Sequence, residues 1–122
     1  MNRAAQVAQA ILTPDPELTD VGNAERLVRH VGQDIRYAEG LGWLVWDGKR
    51  WKPDVLRDVV EYAKLAAKAI FSEAVRAESE ERQKAIAKWA LKSQERTKIE
   101  SMIALARSDP AVATEAEEFD SD

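Results

Sequence analysis

The chain has 122 residues, of which 18 are basic and 22 acidic, giving a net charge of −4, and it contains no cysteine. That length suits one domain that buries about two thirds of its unfolded surface, and the missing cysteines exclude a disulfide framework and thiolate metal sites, which fits a reducing cytoplasmic setting. No run of about 18 apolar residues and no basic-then-apolar leader occurs, so the sequence predicts neither a membrane span nor a signal peptide.

Residues 2–12 are alanine-rich with Val7, Ile11 and Leu12 at helical spacing. They predict a short helix stopped by Thr13-Pro14-Asp15-Pro16, because each proline disfavours helix at the residue before it. Residues 1–17 therefore read as a helical arm with a proline-containing linker. Thr19 or Asp20 then caps a helix to about Val31, with Ala24, Leu27, Val28 and Val31 as its apolar stripe and Gly32 as its C-terminal stop. Residues 34–39 alternate apolar with polar and predict a strand, with Gly40 and Gly42 as turn residues after it.

Residues 42–52, GWLVWDGKRWK, hold three of the four tryptophans. Asp47-Gly48 supplies the pair that tolerates a type I′ turn, so this stretch reads as a β-hairpin that pairs with the preceding strand in a three-stranded antiparallel sheet. A two-residue loop sets Leu44 opposite Trp51 and Val45 opposite Arg50. By alternation Leu44, Trp46 and Trp51 share one face, expected to be the core face. Trp43, Val45, Arg50 and Lys52 share the other. That mixed face suits either stacking on a base while neutralising phosphate, or a small second core with solubilising cations.

Pro53-Asp54 closes the sheet, and residues 55–77 predict the longest helix, with Leu56, Val59, Val60, Ala63, Ala67, Ile70, Phe71 and Ala74 inward. A further helix follows over about residues 80–91, with Ile86, Trp89 and Ala90 inward. Ser93 is expected to cap a last helix to about Arg107, with Ile99, Met102, Ile103 and Ala106 apolar. The fold class is α+β, mostly helical: a small antiparallel sheet with a tryptophan-rich hairpin plus a helical bundle. Residues 18–108 form the domain. Residues 109–122 carry six acids and no base and read as a disordered acidic tail or linker.

Catalytic patterns are missing. Gly40-Leu41-Gly42 fails GxGxxG because Val45 follows, and no GxxxxGK[ST] phosphate loop occurs. His30 is the one histidine and has no second ligand to share a metal, and Asp120-Ser121-Asp122 lacks the rest of a calcium loop. No catalytic residue, metal site or cofactor is assigned.

The constellation above background is basic. With the tail set apart, residues 1–108 hold 18 basic and 16 acidic groups. Between Arg82 and Lys98, six bases face Glu95 alone. Lys84, Lys88 and Lys92 recur every four residues and drift by about 40° per step, so they form one stripe. Arg96 continues it in sequence. Such a stripe is either a track for a phosphate backbone or a solvated helix face. The acidic tail is a candidate to fold over it.

Several stretches together resemble a known family: Leu18-Thr19-Asp20-Val21-Gly22-Asn23-Ala24-Glu25-Arg26, Asp34-Ile35-Arg36-Tyr37, Trp43 through Trp51, Lys88-Trp89-Ala90-Leu91-Lys92-Ser93 and Ala106-Arg107-Ser108-Asp109-Pro110. They are similar to the domain that precedes the superfamily 3 helicase in phage, plasmid and poxvirus-type primase-helicases, over about residues 18–119. The resemblance implies a replication protein whose ATP-driven helicase has no matching position among these residues. What carries over is an accessory role between priming and unwinding.

The function expected is a non-catalytic accessory domain that contacts template DNA. Lys84, Lys88, Lys92 and Arg96 supply one contact, and Lys49, Arg50, Lys52 and Trp43 a second. Neighbouring helicase and primase domains are the implied partners, with homo-oligomerisation through the parent helicase. The competing expectation is an assembly module that packs against those domains without touching DNA, favoured if the faces bearing Trp89 and Met102 expose apolar area.

Overall fold

The computed structural model describes residues 14–119. Its elements in chain order are α1 (Asp20–Val31), β1 (Ile35–Ala38), β2 (Gly42–Trp46), β3 (Trp51–Pro53), α2 (Asp58–Ala69), a 3-10 segment (Ile70–Arg76), α3 (Glu80–Lys92), α4 (Arg96–Ala106), β4 (Ala113–Thr114) and a final 3-10 turn (Ala116–Phe119). The fold is α+β and mostly helical, as expected. The helix predicted over residues 2–12 lies outside the described residues.

Local chemistry explains most boundaries. Thr19 opens α1 by accepting the Gly22 N–H on its hydroxyl at 2.9 Å. The chain passes so close to itself there that a side chain at Gly22 would meet the Glu17 carbonyl oxygen at 1.9 Å. At the other end Gly32 keeps a right-handed φ of −56°, so the expected left-handed glycine stop is not used. The start of α2 moves from the predicted Val55 to Asp58, because the Asp54 carboxylate accepts the N–H groups of Asp58 (2.7 Å) and Val59 (3.0 Å). Val55 and Leu56 consequently lie outside the helix and exposed, and Leu56 is not the inward residue its spacing suggested.

The second half of the predicted long helix tightens into the 3-10 segment. With three residues per turn, positions three apart eclipse each other, so Ile70 and Glu73 point inward together. The α-helical period predicts Ile70 inward, as found, but also Phe71, which is 43% exposed, and it does not predict Glu73. Ser79 caps α3 by accepting the Arg82 N–H at 3.0 Å. Ser93 does not cap α4: it is fully buried, its hydroxyl accepts the Asn23 amide at 3.0 Å, and Glu95 stands at the helix start without a capping bond.

The sheet has the order β3-β2-β1-β4. β1, β2 and β3 pair antiparallel as expected, and β4 adds a parallel neighbour to β1, with Tyr37 opposite Ala113. This fourth strand comes from the segment predicted to be a disordered acidic tail. Val112 just before it is fully buried in the main core, and its carbonyl accepts the Tyr37 N–H at 3.0 Å. Residues 112–114 are therefore bound to the sheet, and not folded over the lysine stripe.

The main core joins Leu27 of α1, Ile35 and Val45 of the sheet, Val59, Ala63, Ala66 and Ala67 of α2, Ile99, Met102 and Ala106 of α4, and Val112. A smaller cluster holds Ile70, Ile86 and Ala90, with Trp89 packed against it. A buried polar network ties the two together. Arg26 of α1 pairs with Glu73 through bonds of 2.7 and 2.9 Å and also donates to Asn23 and to the carbonyls of Pro16 and Glu17. Asn23 in turn accepts the Trp89 indole N–H at 3.0 Å. Every donor and acceptor named is satisfied, which is what such groups need once removed from water.

Candidate nucleic-acid interface

The hairpin closes over four residues rather than two. Asp47 Oδ1 accepts the N–H groups of Lys49 (2.8 Å) and Arg50 (2.9 Å), and Gly48 takes φ 101° between them. The N–H bonds from Arg50 and Lys49 hold the Asp47 carboxyl below the ordinary value. The register consequently pairs Trp46 with Trp51, Val45 with Lys52 and Leu44 with Pro53. Because the shift is two residues, the predicted alternation survives.

The main core lies on the other face from the one expected, although Leu44 on the expected face is buried too, at 4%. Ile35 of β1 belongs to the main core and stands opposite Val45, so the face of Ile35, Tyr37, Trp43 and Val45 is the one covered. Trp43 therefore packs on the core, its ring edge-on to Tyr37 at 5.2 Å and its indole nitrogen buried without a partner. Trp43 keeps the face it was expected to share with Val45 and Lys52, and its half-buried ring takes the core-packing alternative for that face. Lys49, Arg50 and Lys52 are exposed, with Arg50 3.9 Å from Asp47.

Lys84, Lys88 and Lys92 all lie exposed on α3. Lys84 pairs with Glu80 at 3.5 Å, one turn away, an exposed contact of small energetic weight. No carboxylate ion-pairs with Lys88 or Lys92 among the described residues. Lys98, counted in the basic run, is held by Asp20 at 3.1 Å and lies over the Trp89 ring at 5.3 Å, so it serves the packing of α4 on α1.

The helix ends after Lys92, and the α3–α4 turn carries Arg96 away from the stripe and into a groove. This groove, about 470 Å³ in volume, runs between α2 and α4. Val60, Ile99 and Ile103 form its floor, and Arg57, Lys64, Lys68 and Arg96 its walls, against one lining carboxylate, Glu100. Lys64 pairs with Glu61 at 2.7 Å and Arg96 with Glu100 at 2.9 Å. Arg57 and Lys68 have no carboxylate partner among the described residues. Arg57 sits at φ 60°, the single non-glycine residue in the left-handed region among those described.

The sequence reading missed Arg57, Lys64 and Lys68. Their signal was present: positions 57, 64 and 68 are seven and four apart, a spacing that returns to the same helical face. It went unread because three cations spread over twelve residues do not form a charge run. No group of three or more histidine, aspartate or glutamate side chains able to hold a metal exists among the described residues, and no helix there is long and apolar enough to cross a membrane.

A family model described as D5 N terminal like matches residues 24–122. No curated protein and no solved structure gives a match.

Proposed function

The chain belongs to the D5 N-terminal-like family, the domain of poxvirus D5 and phage primase-helicase proteins, and from that premise we propose that it is a non-catalytic accessory domain that contacts template DNA and couples priming to unwinding. The observation that carries the DNA contact is the α2–α4 groove. Four cations line it, two of them ion-paired (Lys64 with Glu61, Arg96 with Glu100) and two, Arg57 and Lys68, without a carboxylate partner among the described residues. A net positive potential therefore lies over a concave surface, which attracts a polyanion and raises its local concentration. Its apolar floor suits sugars and bases better than a bare solvated face would. Lys84, Lys88 and Lys92 on α3 and Lys49, Arg50 and Lys52 at the hairpin end extend the cationic surface in this reading.

The test is binding of fluorescent single-stranded DNA between about 50 and 200 mM salt. Replacing Lys64 and Lys68 together by glutamate is expected to weaken binding and to flatten the log–log salt dependence by about 0.7 for each phosphate that is no longer neutralised. Both side chains are exposed, and loss of the Lys64–Glu61 pair should lower the melting temperature only slightly. The triple change Lys84→Glu, Lys88→Glu, Lys92→Glu asks the same of α3. Wild-type affinity in both variants would refute DNA contact through these surfaces.

A second reading, assembly against helicase or primase domains or further copies, draws on a different observation. Met102 is fully buried and Trp89 packs against the smaller cluster, so the exposure on their faces that would favour this reading is not what supports it. Leu65, Phe71, Val75 and Leu91 are exposed instead, Val75 at 85%. Concentration-dependent sedimentation of the chain, or its co-elution with the adjoining domains, separates this reading from the first.

A further inference from the structure

With Trp43 turned to the core, the hairpin's aromatic surface belongs to two other residues. Trp46 and Trp51 stand opposite each other on the sheet face away from the main core. Trp46 is 39% exposed, and its ring centroid lies 5.5 Å from that of Trp51 at an interplanar angle of 59°. Arg36 reinforces the pair. Its guanidinium carbon is 4.7 Å from the Trp51 ring centroid, and its Nη1 donates to the carbonyls of Gly32 and Ile35, both at 2.7 Å. The Trp46 ring is thus held by a neighbour that is itself held, next to a fixed positive charge.

The position of this pair relative to the groove follows from topology. β3 is an edge strand, and alternation along it places Lys52 on the helix side of the sheet and Trp51 on the outer side. Arg57 of the groove follows Trp51 by six residues, a chain distance of at most about 20 Å. Lys52 and the tryptophan pair thus lie on opposite faces of one sheet edge, a short length of chain from the groove residue Arg57.

We infer that Trp46, braced by Trp51 and Arg36, is a stacking platform for an unpaired base, so that the ligand of this surface is single-stranded nucleic acid. The inference rests on the DNA-contact reading and adds the class of strand. In duplex DNA each base already stacks on its neighbours and offers no free face to the ring. In a single strand every base has one, and stacking on an aromatic side chain contributes about tenfold or more in affinity per base without regard to sequence.

The experiment compares the full chain with its Trp46→Ala and Trp46→Phe variants. Each is titrated at about 50 mM salt with a fluorescent single strand, the same backbone made abasic throughout, and a duplex of equal length. The wild type is expected to bind the base-bearing strand about tenfold more tightly than the abasic one. Trp46→Ala removes that advantage and leaves abasic binding unchanged, while Trp46→Phe, which keeps a ring, retains most of it. Circular dichroism melts confirm that the variants are folded.

Equal wild-type affinity for base-bearing and abasic strands, a preference for duplex, or an equal loss by Trp46→Ala on both strands overturns the platform and leaves the groove reading standing. No binding of any of the three ligands overturns both.

Discussion

Arg57 shows how much one residue can carry. A non-glycine side chain at φ 60° places Cβ against its own carbonyl, at a cost of about 1 kcal/mol or more. The Arg57 guanidinium lines the groove without an ion-pair partner among the described residues. Replacement by glycine relieves the strain and removes the cation together. Arg57→Gly is therefore expected to raise the urea unfolding free energy by roughly 1 kcal/mol, less the entropy glycine adds to the unfolded chain, while weakening single-strand binding. A variant that binds DNA like the wild type would show that the strained position serves only the turn into α2. Asp47 and Asp54 make the contrasting case. Each spends its carboxylate on two backbone N–H groups, and each accordingly fixes a boundary, the hairpin loop and the start of α2.

At the level of elements, the helices meet through a polar contact that no periodicity announces. Arg26 and Glu73 are 47 residues apart and lie at 2% and 8% exposure, with their charges in direct contact. Glu73→Ala leaves a buried guanidinium without its partner and is expected to lower stability by about 3–5 kcal/mol, read from the urea midpoint. The double variant Arg26→Met, Glu73→Leu removes both charges and should recover most of that loss. Recovery no better than additive would mean that the carbonyls of Pro16 and Glu17, also bound by Arg26, carry the effect. The same network explains why Ser93 was misread. Its sequence context fits a helix cap, but its hydroxyl is taken by Asn23 across the core.

For the whole molecule, the C-terminal segment is the main revision. Val112 sits fully buried among residues of α1, α2 and α4, and β4 closes the sheet beside β1. Val112→Ala should lower the unfolding free energy by about 2 kcal/mol, and truncation after residue 108 by at least as much. Truncation after residue 114, which keeps Val112 and β4, should change stability little. Equal thermal melts for all three would return this segment to the status of a linker. The acidic character of residues 115–118 hid the strand, since one valine among carboxylates carries almost no pattern.

Short-range periodicity was enough to read the four described helices, the strand-and-hairpin order, the two sets of alternating hairpin side chains, and the lysine stripe of α3. Helical and strand spacing depend on neighbours within a turn or two, so they survive in the linear text. Which hairpin face meets the helices was settled only by packing in three dimensions, because Ile35 and Val45 share a side only once the register is set. Packing also brought Arg96 to Arg57, Lys64 and Lys68, and turned Glu73 toward Arg26. Those outcomes depend on contacts between distant residues, which burial of apolar surface selects among and which no local spacing encodes.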